Sequence, residues 1–279
     1  MDRVGCPNAF RLHAALIFVA AFSLASLSPA LASCNDEPAP GASWHGCDLR
    51  DRDLSESRLE RALMSRIQAD GVDFRGADLE GAVITDASLE GADLRDSRLR
   101  RADFGNSNLR GADLSGSNAQ RVRFTSADLS GARLDEADLS DGRFASARMN
   151  EVSMVDANLG DGRLNNAQLR DISARGVNLD GAGLGRADLS GADLRDARLR
   201  GADLARARLE GADLRGADLE GANLDGARLA GADFRDSNLQ RADLRNADIS
   251  GTRFDGAELG NATWVDRRHC RPRSISECD

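Results

Sequence analysis

The chain has 279 residues, a formal charge of −9, 41% hydrophobic residues, 30% charged residues and only 4% aromatics. Such a balance fits neither a disordered chain nor a membrane bundle. All 37 basic residues are Arg, and the acidic excess argues against general nucleic-acid binding, which needs a basic surface; three His leave little for acid–base or metal chemistry.

Residues 1–32 stand apart. Arg3 and Arg11 precede an apolar run, Leu12 to Leu27, that ends at Ala30-Leu31-Ala32. The pattern predicts a secretory signal peptide cut between Ala32 and Ser33. His13 and Ser23 interrupt the run, which is short for a membrane span. Leu31-Ala32-Ser33-Cys34 also resembles a bacterial lipobox, which would lipidate Cys34 and tie the protein to a membrane. Cysteine arithmetic favours simple cleavage. Cys6 leaves with the signal, and Cys34, Cys47, Cys270 and Cys278 remain as two local pairs. An exported chain oxidises such pairs, which predicts disulfides Cys34–Cys47 and Cys270–Cys278 and a periplasmic or secreted bacterial protein. Cleavage removes one acid and two Arg, leaving 45 acids, 35 Arg and a charge of −10.

Residues 33–47 read as an N-terminal cap, with Pro38 and Pro40 ahead of Trp44. From Trp44 to Trp264 every fifth residue is apolar, with no insertion or deletion: 45 positions, 29 of them Leu and 6 Phe. Two residues before each lies a second series in which 29 are Ala. The unit is A-(D/N)-L-x-x, clearest in Ala192-Asp193-Leu194-Arg195-Asp196. A helix would put Ala and Leu on nearly opposite sides. A short extended edge puts both on one side and Asp or Asn on the other, with a two-residue corner to follow.

The aromatics set the number of edges per turn. Trp44, Phe104, Phe124, Phe144 and Trp264 are separated by multiples of 20, as are Phe74, Phe234 and Phe254. Two of four columns hold all eight, an outcome expected by chance about 2% of the time. Four quintets per coil, about 11 coils and a rod about 50 Å long follow from a stacking distance of about 4.8 Å.

The A-(D/N)-L-x-x run resembles the pentapeptide-repeat family over residues 42–266. The resemblance implies an all-β solenoid, a right-handed quadrilateral β-helix with Leu or Phe and the preceding Ala inside. Two stretches depart from the unit. Residues 61–72 carry Ile67, Ala69 and Val72, and residues 142–177 bring Gly142, Val152, Gly162, Ile172 and Val177 into the Ala series. Bulges would fit there, but drift of a tolerant repeat is the simpler reading. Residues 267–279 read as a C-terminal cap. Trp, Pro and a cysteine pair at each end resemble the bookends of some exported family members.

No chemistry is assigned. His45 with Cys47 and His269 with Cys270 hold metal-ligand types, but the pairs belong at opposite ends of the rod. The only His left after cleavage stand at the ends of the array, so no Ser-His-Asp set forms along it. No catalytic, cofactor-binding or metal residue is expected, and no cofactor. The resemblance also raises a DNA-mimicking inhibitor of DNA gyrase. Asp53, Asp73, Asp93 and Asp113 form an acidic column, as do Asp193, Asp213 and Asp233, but Arg75, Arg95, Arg175, Arg195, Arg215 and Arg235 run beside them. Arg123, Arg143 and Arg163 replace Asp on another face. A mimic needs a single-sign field. The favoured expectation is a non-enzymatic exported scaffold whose charged faces meet a protein or cell-envelope partner, with self-association through an end or face compatible. The basic tail Arg267–Arg273 is read as a cap, its charge cut by Asp266, Glu277 and Asp279.

Overall fold

The described residues of the computed structural model belong to one compact unit. The structure describes residues 34–279. The expected signal segment 1–32 and its cleavage site, Ala32 and Ser33, lie outside the described residues.

Within this unit the outward residue of each quintet bridges in parallel to the residue 20 further on. The bridges run without a break from Ser43↔Leu63 to Asp243↔Thr263. Four such ladders therefore form four faces, and the register read from the aromatics is the observed one. Backbone bonding repeats in the same way. Asp213 N–H donates to Ala192 O of the preceding coil at 2.9 Å, and Leu214 N–H donates to Asp233 O of the next at 2.8 Å. The corner closes with Ala217 N–H on Leu214 O at 3.1 Å.

Each edge contributes a single-residue bridge rather than a multi-residue strand. The reason is arithmetic. Two of the five residues turn the corner, and of the remaining three the middle one bonds through both its N–H and its C=O to the preceding coil, while its two neighbours bond forward to the next. The second corner residue adopts a left-handed conformation at every fifth position from Glu56 to Asn261, with φ between 54° and 74°. Glycine takes this conformation freely, while Arg61, Arg66, Arg101 and Arg121 adopt it at some strain. Gly176 has a second reason to be glycine: a β-carbon there would sit 2.2 Å from Asp156 Oδ1 of the coil before.

Asp or Asn recurs at the outward position for a local reason. Its side-chain oxygen accepts the N–H of the residue two further on, the one corner N–H that neither the turn nor the ladders engage. Arg95 N–H donates to Asp93 Oδ1 at 3.2 Å, Ser115 N–H to Asp113 Oδ1 at 3.0 Å and Gln240 N–H to Asn238 Oδ1 at 3.1 Å. This Asx-type bond fits a short side chain carrying an oxygen.

The interior is continuous from Trp44 to Trp264. Phe104, Phe124 and Phe144 stack with centroids 5.1 and 5.5 Å apart, and Phe234 stacks on Phe254 at 5.5 Å. The two irregular stretches contain no bulge, since the bridges pass through both. They hold a volume exchange, which also occurs once between them, at Ala119. Where the central residue is Ala, at Ala69, Ala119 and Ala174, the inward residue across the next corner is Val72, Val122 or Val177. All six are buried. A small residue beside a larger one keeps the interior filled. Gly142 answers to a different neighbour: a β-carbon there would come within 2.6 Å of the Phe144 ring.

Candidate functional site on the charged faces

Cys34 is bonded to Cys47 with Cα atoms 5.4 Å apart, and Cys270 to Cys278 at 4.7 Å. Cys47 and Cys270 are thereby spent as thiolate ligands beside His45 and His269. At the first coil Arg52 occupies an inward position that in most quintets holds Ala. Its guanidinium lies 4.7 Å above the Trp44 ring and donates to Cys34 O and Asp36 O at 2.8 and 3.0 Å. Arg52 thus fastens the N-terminal cap, combining a cation–π contact with two backbone bonds. At the other end the chain reverses, with antiparallel bridges Glu258↔Ile275 and Thr263↔His269. Leu259 N–H donates to Ser274 O and Cys270 N–H to Ala262 O, both at 2.9 Å, which covers part of the open edge. The basic tail is partly neutralised as read, by Arg268–Asp266 at 3.3 Å and Arg271–Asp279 at 4.0 Å.

The acidic columns are ion-pair ladders. Asp73, Asp93 and Asp113 follow one another through bridges, and so do Asp193, Asp213 and Asp233. Within a coil Arg95 meets Asp93 at 2.5 Å and Arg195 meets Asp193 at 2.6 Å. Between coils Arg75 reaches Asp93 at 3.6 Å and Arg195 reaches Asp213 at 3.8 Å. The hydrogen bond from Arg95 lowers the Asp93 pKa, against an upward pull from burial. Arg195, Arg215 and Arg235 lower Asp193, Asp213 and Asp233 in the same way. At the exposed N-terminal end Arg50 holds Asp48 down to about 2. At Asp188 burial pulls upward, and hydrogen bonds from Ser190 and Arg170 outweigh it. These faces are fields of paired charge.

One face differs. Arg123, Arg143 and Arg163 stack in successive coils. With Arg101, Arg121, Asp141 and Asp161 they line an open groove. Arg123 approaches Asp103 at 3.3 Å and Arg121 approaches Asp141 at 3.4 Å. The guanidiniums of Arg101, Arg143 and Arg163 make no hydrogen bond or ion pair among the described residues. The sequence shows the three-Arg column. It does not show that the corner residues Arg101 and Arg121 adjoin it, because that adjacency comes from the coil geometry.

The family models agree with the repeat. Pentapeptide repeats match residues 62–101, 184–221, 192–229 and 222–261, and the Pentapeptide repeat region matches 117–194. No curated protein matches the chain. Among solved structures, HetL, a pentapeptide repeat protein involved in heterocyst differentiation regulation in the cyanobacterium Nostoc sp. strain PCC 7120, is 32% identical, with a TM-score of 0.59 over 76% of this chain and 91% of its own. A pentapeptide repeat protein of the Arabidopsis thaliana thylakoid lumen is 28% identical over 45% of this chain and 66% of its own, with a TM-score of 0.27. QnrB1, a plasmid-mediated fluoroquinolone resistance protein, is 18% identical over 68% of this chain and 90% of its own, with a TM-score of 0.34. The ladders, the inward Leu and Ala series, the matched repeat models and the likeness to HetL lead to one conclusion: this chain belongs to the pentapeptide-repeat family and has its quadrilateral β-helix fold.

Proposed function

We propose that the protein is a non-enzymatic scaffold, exported to an oxidising compartment, whose rod of about 11 coils presents charged faces to a protein or cell-envelope partner. The observation that carries this reading is the contrast between faces. Arg at the ladder positions of the described residues is held in ion pairs with carboxylates except at Arg143 and Arg163, which line one groove together with the unpaired corner residue Arg101. Two cysteine pairs joined as disulfides support the oxidising compartment. The gyrase-inhibitor alternative finds little support in the ladders. A duplex mimic needs a long field of one sign, and here Arg neutralises Asp within and between coils. Fractionation of cells expressing the full chain, followed by crosslinking in the periplasmic fraction, tests the proposal. A processed, oxidised protein crosslinked to an envelope component supports it. A cytoplasmic, reduced protein that inhibits DNA supercoiling overturns it.

A further inference from the structure

Where the outward residue is Asp or Asn, it accepts the corner N–H two residues on. At Arg133 and Arg148 the outward residue is Arg and that N–H goes without a partner among the described residues, but the guanidinium pairs with an Asp; Arg143 and Arg163 have neither compensation. Behind Arg123, Arg143 and Arg163 that acceptor is gone, and the N–H groups of Thr125, Ala145 and Asn165 make no hydrogen bond among the described residues. Three stacked guanidiniums also repel one another. Local bonding and local electrostatics would both favour Asp or Asn here. A surface that gives up stability in two ways at successive coils is one maintained for contact with something else.

The same ladder shows what that something is. Toward the N-terminus the Arg column continues, past the paired Asp103, as Val83 and Leu63. Leu63 points outward and is 50% exposed, one of only two large apolar side chains so exposed among the described residues. One face therefore offers an apolar end and a cationic end in a single line. Nothing aromatic is exposed along it to stack a nucleic-acid base. A glycan polyanion would match the cationic end and leave Leu63 and Val83 without use. A polypeptide can match both.

We propose that this face binds an extended acidic segment of a partner protein, with apolar side chains over Leu63 and Val83 and carboxylates on Arg143 and Arg163. From Leu63 to Arg163 the ladder makes five steps. At about 4.8 Å each they span about 24 Å, the length of about seven extended residues. Guanidinium–carboxylate pairing supplies directional, bidentate contacts, and the unpaired state of Arg101, Arg143 and Arg163 leaves them ready for it. The inference deepens the scaffold reading and rests on it.

The test is fluorescence anisotropy with the full, oxidised chain and a labelled peptide of about eight residues, two Leu at one end and four Asp at the other. R143S/R163S removes two of the three unpaired guanidiniums, the two on the ladder; Ser already occupies outward positions at Ser153 and Ser173, and R143Q/R163Q serves if the Ser variant melts early. R208S/R228S removes the same charge from another ladder, where Arg228 is held by Glu210 at 2.7 Å. Expected are a loss of at least about tenfold for R143S/R163S, about threefold for L63S and less than about twofold for R208S/R228S. Equal losses for R143S/R163S and R208S/R228S overturn the proposal. So does a sulfated glycan that binds as tightly as the peptide and is indifferent to L63S. Either result leaves the fractionation outcome, and with it the scaffold reading, untouched.

Discussion

Replacing Val122 by Ala removes two buried methyl groups from a site with no solvent exposure, across a corner from Ala119. At about 0.8 kcal/mol per buried carbon the loss is about 1.6 kcal/mol, before any cavity adds to it. Replacing Ala119 by Leu alone forces a large side chain into space already taken by Val122, at about 1–3 kcal/mol. The double variant restores the Ala-and-Leu combination that fills most quintets, so the penalties should cancel in large part, with a coupling of about 1–3 kcal/mol. Native-state hydrogen exchange of the Ala119 and Val122 amides, which donate to Asp138 O at 2.7 Å and Ala119 O at 3.1 Å, reads the effect locally. Exchange at these amides should accelerate about 15-fold in V122A, by a similar factor in A119L, and return to within about threefold of the parent in A119L/V122A. Additive penalties in the double variant would refute volume exchange as the reason for the irregular quintets.

Three further outcomes follow from the same structure. Ala202→Leu, in a regular quintet with no small partner, overpacks the interior by about 1–3 kcal/mol and lowers the melting temperature; an unchanged melting temperature would contradict the inward assignment of Ala202. Asp93, Asp193, Asp213 and Asp233 have folded pKa values below their unfolded ones, so their contribution is fully present above the unfolded carboxylate range and is lost as pH falls through the folded values. Denaturation midpoints should therefore hold steady from about pH 8 to 5 and drop below about pH 4, a steady midpoint down to about pH 2 being the contrary result. Reducing the disulfides, which close loops of 13 and 8 residues, should cost about 2–3 kcal/mol each and loosen the end coils first, seen as faster exchange near Trp44 and Trp264 than at Leu159.

Much of the architecture is legible in the chain because one rule repeats. Trp44 to Trp264 in unbroken phase sets the edge length, and the columns of Phe104, Phe124 and Phe144 set four edges per coil. Cysteine spacing indicates the two end pairs that the structure joins. Three features escape such reading, each for a physical reason. Arg52 looks like a defect in the Ala series, yet at an open end an inward guanidinium has a Trp face and two loop carbonyls to satisfy. The Asp and Asn of the repeat look like solvent-facing charge, whereas their oxygens complete the corner bonding. The Ala–Val exchange looks like drift until position 119 and position 122 are known to share one interior. The groove is only half legible: Arg123, Arg143 and Arg163 fall in one column by counting, while Arg101 and Arg121 join them through the coil.

The most direct measurement is a crosslink along one ladder. Asn158 and Asn178 bridge one another, and Asn178 Nδ2 donates to Asn158 Oδ1 at 2.8 Å. Cysteines at both positions should form an intramolecular disulfide, identified by mass spectrometry of the digest, because ladder neighbours about 4.8 Å apart lie within disulfide reach. The N158C/S173C pair, 15 residues apart and on different faces, should stay open. Closure of N158C/S173C with N158C/N178C left free would mean a different number of edges per turn, and would contradict the four-sided coil on which the faces, the ladders and the Arg groove all depend.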